Sequence, residues 1–331
     1  MRVGVIGAGA VGGTLAALLA RGGHDVEVTA RGAHLAAIRA DGIRLSGAWG
    51  NWVAHVGASE VLDTAPDLMV VATKAQDAAA ALADNARCLD GIPVVVVQNG
   101  LDAIATARTV APRAEVCGGL ATFAASHLAP GEVTVTAPGR LFLGGATDEP
   151  SASLAARVFA AVLPTDLVGN FVGAQWTKLV INQINALPAI TGMSAQDVVA
   201  DRRLRRVMSL GMRETVRVGL ESGIRFGTLQ GLSHFHLRAF AAAPARIGQL
   251  LPLALAFRMG STPNPGSTLQ SIRRGQATEI DYLNGAVVRA AAAIDFPVPV
   301  NDLLVRLVHE VEHAGVFLTP EDILAGMRRA R

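Results

Sequence analysis

Apolar and polar positions divide the chain into two halves of different period. In the first half, apolar runs of strand length alternate with stretches of helical spacing. The runs are 2–7 (RVGVIG), 25–30 (DVEVTA), 67–73 (DLMVVAT), 92–100 (IPVVVVQNG), 114–121 (AEVCGGLA), 132–136 (EVTVT) and 140–145 (RLFLGG). Helical stretches separate the first four, the pattern of βαβ units around a parallel sheet. PVVVV at 93–97 is apolar at every position, which predicts a strand buried on both faces in the middle of that sheet. The later runs lie close together with Gly/Pro turns between them and predict an antiparallel extension.

Beyond about residue 170 the strand signal disappears. The spacing predicts helices over 173–187, 195–223, 231–243, 245–258, 267–274, 278–294 and 301–314. The natural boundary lies near LVGNF (167–171), and MGSTPNPGST (259–268) is the one Pro/Gly-rich loop of the helical half. The expected fold class is α/β followed by an all-α domain.

A chain of 331 residues fits two domains, and 51% apolar residues are enough for sizeable cores, which excludes disorder. A net charge of +2 and 4% aromatic residues give no sign of a nucleic-acid partner. RRLRR (202–206) sits in a helical pattern and reads as a solvated face. Cys88 and Cys117 are too few for a disulfide scaffold and fit a cytoplasmic protein with ordinary thiols. Val3–Ala20 is an uncharged apolar run, but its clustered glycines argue against an export signal or a membrane span.

Gly7-Ala8-Gly9-Ala10-Val11-Gly12 spells G-x-G-x-x-G directly after a strand and at the opening of a helix. In that context the glycines allow a tight turn and close approach of a pyrophosphate, whose charge rests on the helix N-terminus. The expectation is a Rossmann-type dinucleotide-binding domain. An NAD site usually carries Asp or Glu at the end of the second strand, where this chain has Thr29-Ala30-Arg31. A guanidinium there can pair with a 2′-phosphate, so NADP is expected rather than NAD. Lys74 and Gln98-Asn99 follow apolar strands at the ends where ligands bind in open α/β sheets, and Asn99 also fits a helix cap.

Within QWTKLVINQINALPAITG (175–192), Lys178, Asn182 and Asn185 recur at i, i+4 and i+7, one stripe of a helix. Burying them unpaired costs several kcal/mol, so the stripe faces either solvent or something it binds. Pro188 predicts an end or a kink, because its ring clashes with the carbonyl of Ile184. Further on, Thr278 and Asp281 fit a capping box, which leaves Glu279 in the first turn for another task.

Taken together, the glycine loop, Arg31, the lysine after the third strand, QNG, W-x-K-L-x-x-N and TEID-Y-x-N-G resemble the ketopantoate reductases (2-dehydropantoate 2-reductases) from residue 1 to about 315. The resemblance implies an NADP-binding Rossmann-type domain over 1–169 and a helical substrate and catalytic domain over 170–331, with NADPH and a small 2-oxo acid in the cleft. It leaves a homodimer open and implies neither a membrane nor a nucleic-acid partner. Lys178 resembles the catalytic lysine; Asn99, Asn182, Ser267 and Glu279 resemble the residues that hold substrate and orient the lysine.

Such residue types suit the chemistry. Hydride from the nicotinamide reaches the keto carbon, charge develops on its oxygen, and an ammonium stabilises that charge and delivers a proton. One departure stands out: the family's second asparagine commonly lies eight positions after the lysine, whereas Asn185 lies seven after Lys178. A missing residue or a local bulge would account for it. Gln270-Ser271 is a smaller departure. A relative that reduces another branched 2-oxo acid therefore stays open, as does a non-enzymatic NADP-binding sensor. His309-Glu310-Val311-Glu312-His313 satisfies H-E-x-x-H, the zinc-protease spelling. Its helix turns Leu303, Leu304, Leu307, Val308 and Val311 inward and supplies no third ligand, so no metal is expected.

Overall fold

The computed structural model describes residues 1–145, 150–260 and 262–329, so Ser261 of the loop read at 259–268 lies outside the described residues. It divides into two compact units, Met1–Phe171 and Val172–Arg331.

The first unit contains strands β1 (Arg2–Ile6), β2 (Asp25–Thr29), β3 (Ile43–Gly47), β4 (Trp52–Ala54), β5 (Gly57–Ser59), β6 (Leu68–Val71), β7 (Pro93–Val97), β8 (Glu115–Ala121), β9 (Ala124–Ala129), β10 (Glu132–Ala137), β11 (Leu141–Gly144) and β12 (Thr165–Leu167). Between them run helices α1 (Ala10–Arg21), α2 (Gly32–Asp41), α3 (Ala78–Asp84), α4 (Ala103–Val110) and α5 (Pro150–Ala160). The main sheet has the order β12-β11-β8-β7-β6-β1-β2-β5, parallel except for the β8–β11 pair.

As the unbroken valine run predicts, β7 is central. Its alternate side chains feed two cores. Val95 and Val97 join Leu15, Leu18 and Phe159 on one face of the sheet. Val94 and Val96 join Leu82, Ala103 and Ala107 on the other. The antiparallel extension is only part of the outcome, because β10 leaves the main sheet. It pairs antiparallel with β9 and parallel with β3 in a second sheet of order β4-β3-β10-β9.

In the second unit the helices are α6 (Phe171–Asn182, whose first residue belongs to the first unit), α7 (Ala186–Thr191), α8 (Ala195–Ala200), α9 (Arg202–Glu221), α10 (His234–Ala242), α11 (Ala245–Gly248), α12 (Leu250–Arg258), α13 (Gly266–Arg273), α14 (Asn284–Ala292), α15 (Pro299–Ala314) and α16 (Pro320–Arg329). The long α9 packs against α8, α10, α11, α12, α14, α15 and α16. No described helix is long and apolar enough to cross a membrane.

Four expected helices are divided: 173–187 by a 3₁₀ turn at Gln183–Asn185, 245–258 at Gln249 between α11 and α12, and the two that follow. Asp201 interrupts 195–223 because its carboxylate accepts from the N–H groups of Arg203 and Leu204 and so starts α9 afresh. The helix expected over 278–294 is a 3₁₀ turn at Ile280–Tyr282 followed by α14, and its capping box is absent. Asp281 turns instead to His309.

Candidate active site

The glycine loop shows why its residue types are required. Gly7 takes φ +94° and donates its N–H to Thr29 Oγ1 at 3.0 Å. Ala8 donates to the carbonyl of Thr29, which ties the loop to the end of β2. A Cβ on Gly12 would lie 1.9 Å from the Gly7 carbonyl oxygen, whereas a Cβ on Gly9 would meet nothing within 4 Å. The turn therefore closes at Gly12 and stays open at Gly9, beside the start of α1 at Ala10 and Val11. An open backbone edge at a helix N-terminus fits the pyrophosphate of a dinucleotide.

Arg31 stands at the start of α2, exposed, with its guanidinium 3.4 Å from Asp84. Glu27 points elsewhere: its carboxylate accepts from Ser59 Oγ at 3.0 Å and from the Asp63 N–H at 3.2 Å. It lies in mid-strand rather than at the end of β2. At the ends of β6 and β7, Gln98 donates from Nε2 to the carbonyl and hydroxyl of Thr73 at 2.8 and 3.0 Å. That links the segments carrying Lys74 and Asn99, both half-buried. Asn99 is not a helix cap, since α4 starts at Ala103 behind Asp102.

Across residues 173–190 every residue is buried except Lys178, Ile181, Asn182 and Asn185, which are partly open. The polar stripe is the single opening along an otherwise enclosed helical segment. The expected kink appears as a 3₁₀ turn at Gln183–Asn185, after which α7 carries Pro188 within its first turn. No bulge is present. In 3₁₀ geometry residues three apart eclipse, so Asn185 comes into line with Asn182. Asn185 Oδ1 also lies against Gly266, the residue before Ser267, at the start of α13. Ser267 itself is exposed.

Lys178 and Glu279 interact although they are far apart in the chain. Desolvation pushes the Lys178 ammonium down to about 8, and the Glu279 carboxylate opposes that fall. Lys178 is half-buried as a residue, and protein crowds its ammonium. At neutral pH most of the population is charged and can give up a proton readily.

Three signals in the chain were not used in reading it. Lys74 and Lys178 are its only lysines; every other basic position apart from the histidines is arginine. Arginine does not deprotonate in proteins, so lysine is kept where a titratable or compact cation is wanted. His34 also escaped notice. Its Nε2–H donates to the Ala8 carbonyl at 2.8 Å, and its Nδ1 accepts from the Gly131 N–H at 2.9 Å, bracing the glycine loop from α2. Beneath the stripe, Gln183 Oε1 accepts from Asn284 Nδ2 at 2.6 Å, Asn284 donates to Asn301, and Asn301 donates to Glu214 at 2.8 Å. This chain of buried amides fastens the 3₁₀ turn to α14, α15 and α9. Burial pushes the Glu214 carboxyl up, against the N–H groups of Val300 and Asn301 that favour its anion. The described residues hold no group of three or more side chains suited to a metal.

Comparison with known proteins shows the family to which the chain is similar. Residues 3–148 match the family described as "Ketopantoate reductase PanE/ApbA", and residues 170–312 match "Ketopantoate reductase PanE/ApbA C terminal". The 2-dehydropantoate 2-reductase of Mesorhizobium japonicum is 30% identical over 344 residues, covering 94% of this chain and 98% of that protein. That of Pyrococcus abyssi is 28% identical over 314 residues, covering 93% and 97%. The crystal structure of a PanE/ApbA family ketopantoate reductase from Ralstonia eutropha JMP134 has a TM-score of 0.81 at 30% identity, covering 95% of this chain and 99% of that one.

Proposed function

Because the chain belongs to the ketopantoate reductase family, and with it to the oxidoreductases, we propose that it reduces 2-dehydropantoate (ketopantoate) to pantoate with NADPH, a step toward pantothenate and coenzyme A. One observation carries the reading: a helical segment buried on all sides opens only along Lys178, Ile181, Asn182 and Asn185, and its one cation is supported by Glu279.

When bound, NADPH supplies the hydride that reduces the keto carbon. The first unit would hold it through Gly7–Gly12, the open backbone at Gly9 receiving the pyrophosphate and Arg31 the 2′-phosphate. Lys74 and Asn99, at the ends of their strands, contribute further contacts to cofactor and substrate. Lys178 donates a hydrogen bond from its ammonium to the keto oxygen, and its proton moves to that oxygen as charge develops there. The neutral amine left behind regains a proton from water. Glu279 keeps Lys178 charged beforehand, and Asn182 and Asn185 bind the substrate without adding charge. Ser267, beside Asn185, bonds its carboxylate.

The position of Asn185 favours a second reading, in which the same apparatus acts on another branched 2-oxo acid. Steady-state rates for ketopantoate and a panel of 2-oxo acids, all with NADPH, test this. Ketopantoate is expected to have the highest kcat/KM; a tenfold better competitor would transfer the function to that acid. A lysine partly stripped of solvent beside a carboxylate has no use in a mere sensor of NADP.

The cofactor assignment makes its own prediction. The Arg31–Asp84 pair is exposed and worth little, so a 2′-phosphate readily displaces it. Arg31→Asp should lower the NADPH/NADH ratio of kcat/KM by at least about tenfold, some 1.4 kcal/mol. An unchanged ratio would mean that the 2′-phosphate is read by other residues.

A further inference from the structure

The side chains of the H-E-x-x-H segment are engaged with one another and with a neighbouring turn. His309, on α15, has Nδ1 at 2.7 Å from Glu312 Oε2 and Nε2 at 3.0 Å from Asp281 Oδ1. The other oxygen of Glu312 accepts the backbone N–H of Thr278 at 2.7 Å. Thr278 directly precedes Glu279, and Asp281 lies two residues after it. Both flanks of Glu279 are thus attached to one imidazole, directly at Asp281 and through Glu312 at Thr278.

We propose that His309 is a positioning residue that, as an imidazolium, ties Asp281 to Glu312 and so fixes the turn from which Glu279 acts on Lys178. This rests on the reading of Lys178 and Glu279 given above. Both ring nitrogens meet carboxylates, and only the charged ring can donate to both. A neutral ring donates to one and leaves the other flank loose.

The groups around His309 favour its charge. Partial burial opposes the charge, but hydrogen bonds and attraction from Asp281 and Glu312 outweigh it, so the pKa is raised. Its own helix also carries Arg306 one turn before it, paired with Asp302, and Glu310 and His313 after it, the Nδ1 of His313 meeting the His309 carbonyl. From the facing turn come Asp281 and Glu279, with Arg289 donating to the Asp281 carbonyl at 2.7 Å. Glu312 is the better sheltered carboxylate, with a side chain 17% exposed against 54% for Asp281, so it forms the stronger half of the clamp. Since the pKa is raised, the clamp is complete at low pH and is lost as pH rises through the folded value.

Having only two lysines makes a direct test practical. Lys178 is labelled with acetic anhydride across a pH series and quantified by mass spectrometry, with Lys74 as the internal reference. In His309→Ala, Glu279 supports Lys178 less, so the apparent pKa of Lys178 falls and its labelling at pH 7.5 rises about twofold or more relative to Lys74. The alkaline limb of kcat shifts to lower pH by the same amount. Glu312→Gln, which keeps an acceptor for Thr278 but removes the charge, should shift both in the same direction and serves if His309→Ala does not fold. Arg306→Ala, which breaks an exposed pair with Asp302 on the same helix, should move neither.

A labelling profile in both clamp variants that superimposes on the native one overturns the proposal. If labelling shifts while no 2-oxo acid is reduced by the native protein, the clamp stands and the assigned activity fails.

Discussion

Lys178→Ala is expected to lower kcat for 2-oxo acid reduction by at least about 10²-fold, the low end for a lost general acid, while Kd for NADPH should stay within about twofold. The asymmetry follows from where the residue sits. Lys178 lies on α6 in the second unit, whereas the glycine loop and Arg31, proposed above to hold the cofactor, belong to the first. Near-normal turnover in the variant would remove Lys178 from its role.

Stability should change in the opposite sense. The folded pKa of about 8 lies below the ordinary lysine value, so the charged form costs stability below that pH, and the cost fades between pH 8 and the unfolded value. Lys178→Met should therefore raise Tm at pH 7, by about 1–3 kcal/mol of unfolding free energy, while abolishing turnover. A Tm that fell on this substitution would mean that the ammonium is better solvated than its surroundings indicate.

Gly12→Ala produces the second large effect, through backbone alone. A Cβ placed 1.9 Å from the Gly7 carbonyl oxygen cannot be accommodated by rotating a side chain, so the loop must open. The cost should reach or exceed the top of the overpacking range, about 3 kcal/mol, with NADPH binding lost. Gly9→Ala separates cradle from scaffold. Its Cβ meets nothing, so Tm should hold, yet the added methyl occupies the side on which a pyrophosphate approaches, and Kd for NADPH should rise about tenfold. Unchanged binding in Gly9→Ala would place the pyrophosphate elsewhere.

Local patterns with a strong period were legible from residue types. The unbroken valines of β7 marked a central strand, and G-x-G-x-x-G behind β1 marked a loop whose Gly7 and Gly12 prove sterically necessary. The second sheet was not legible, because β4 is only three residues long and β3 finds its partner β10 across about 90 residues. Such pairing leaves no local trace. Asp201 shows why helix ends were missed: a single carboxylate that folds back on two N–H groups divides a continuous apolar pattern.

At the site, the i, i+4, i+7 spacing located the stripe but not its status as the single opening of the segment, which depends on what packs around it. The spacing also treated Asn185 as a displaced residue in a regular helix. The 3₁₀ turn that aligns it with Asn182 arises from tertiary contacts of Gln183 and from Pro188, neither of which shows in a periodicity. His309 was the reverse case: a motif with a well-known metal spelling whose first imidazole joins Glu312 of its own helix to Asp281 on the turn of Glu279.

The pH dependence of kcat/KM for ketopantoate at saturating NADPH tests the central claim, that a desolvated Lys178 gives the proton. The expected profile is level through neutral pH and falls about tenfold per unit once the pH passes about 8, with the limb displaced to lower pH in Glu279→Gln. A profile that stays level to pH 10, or a limb that Glu279→Gln leaves in place, would contradict it.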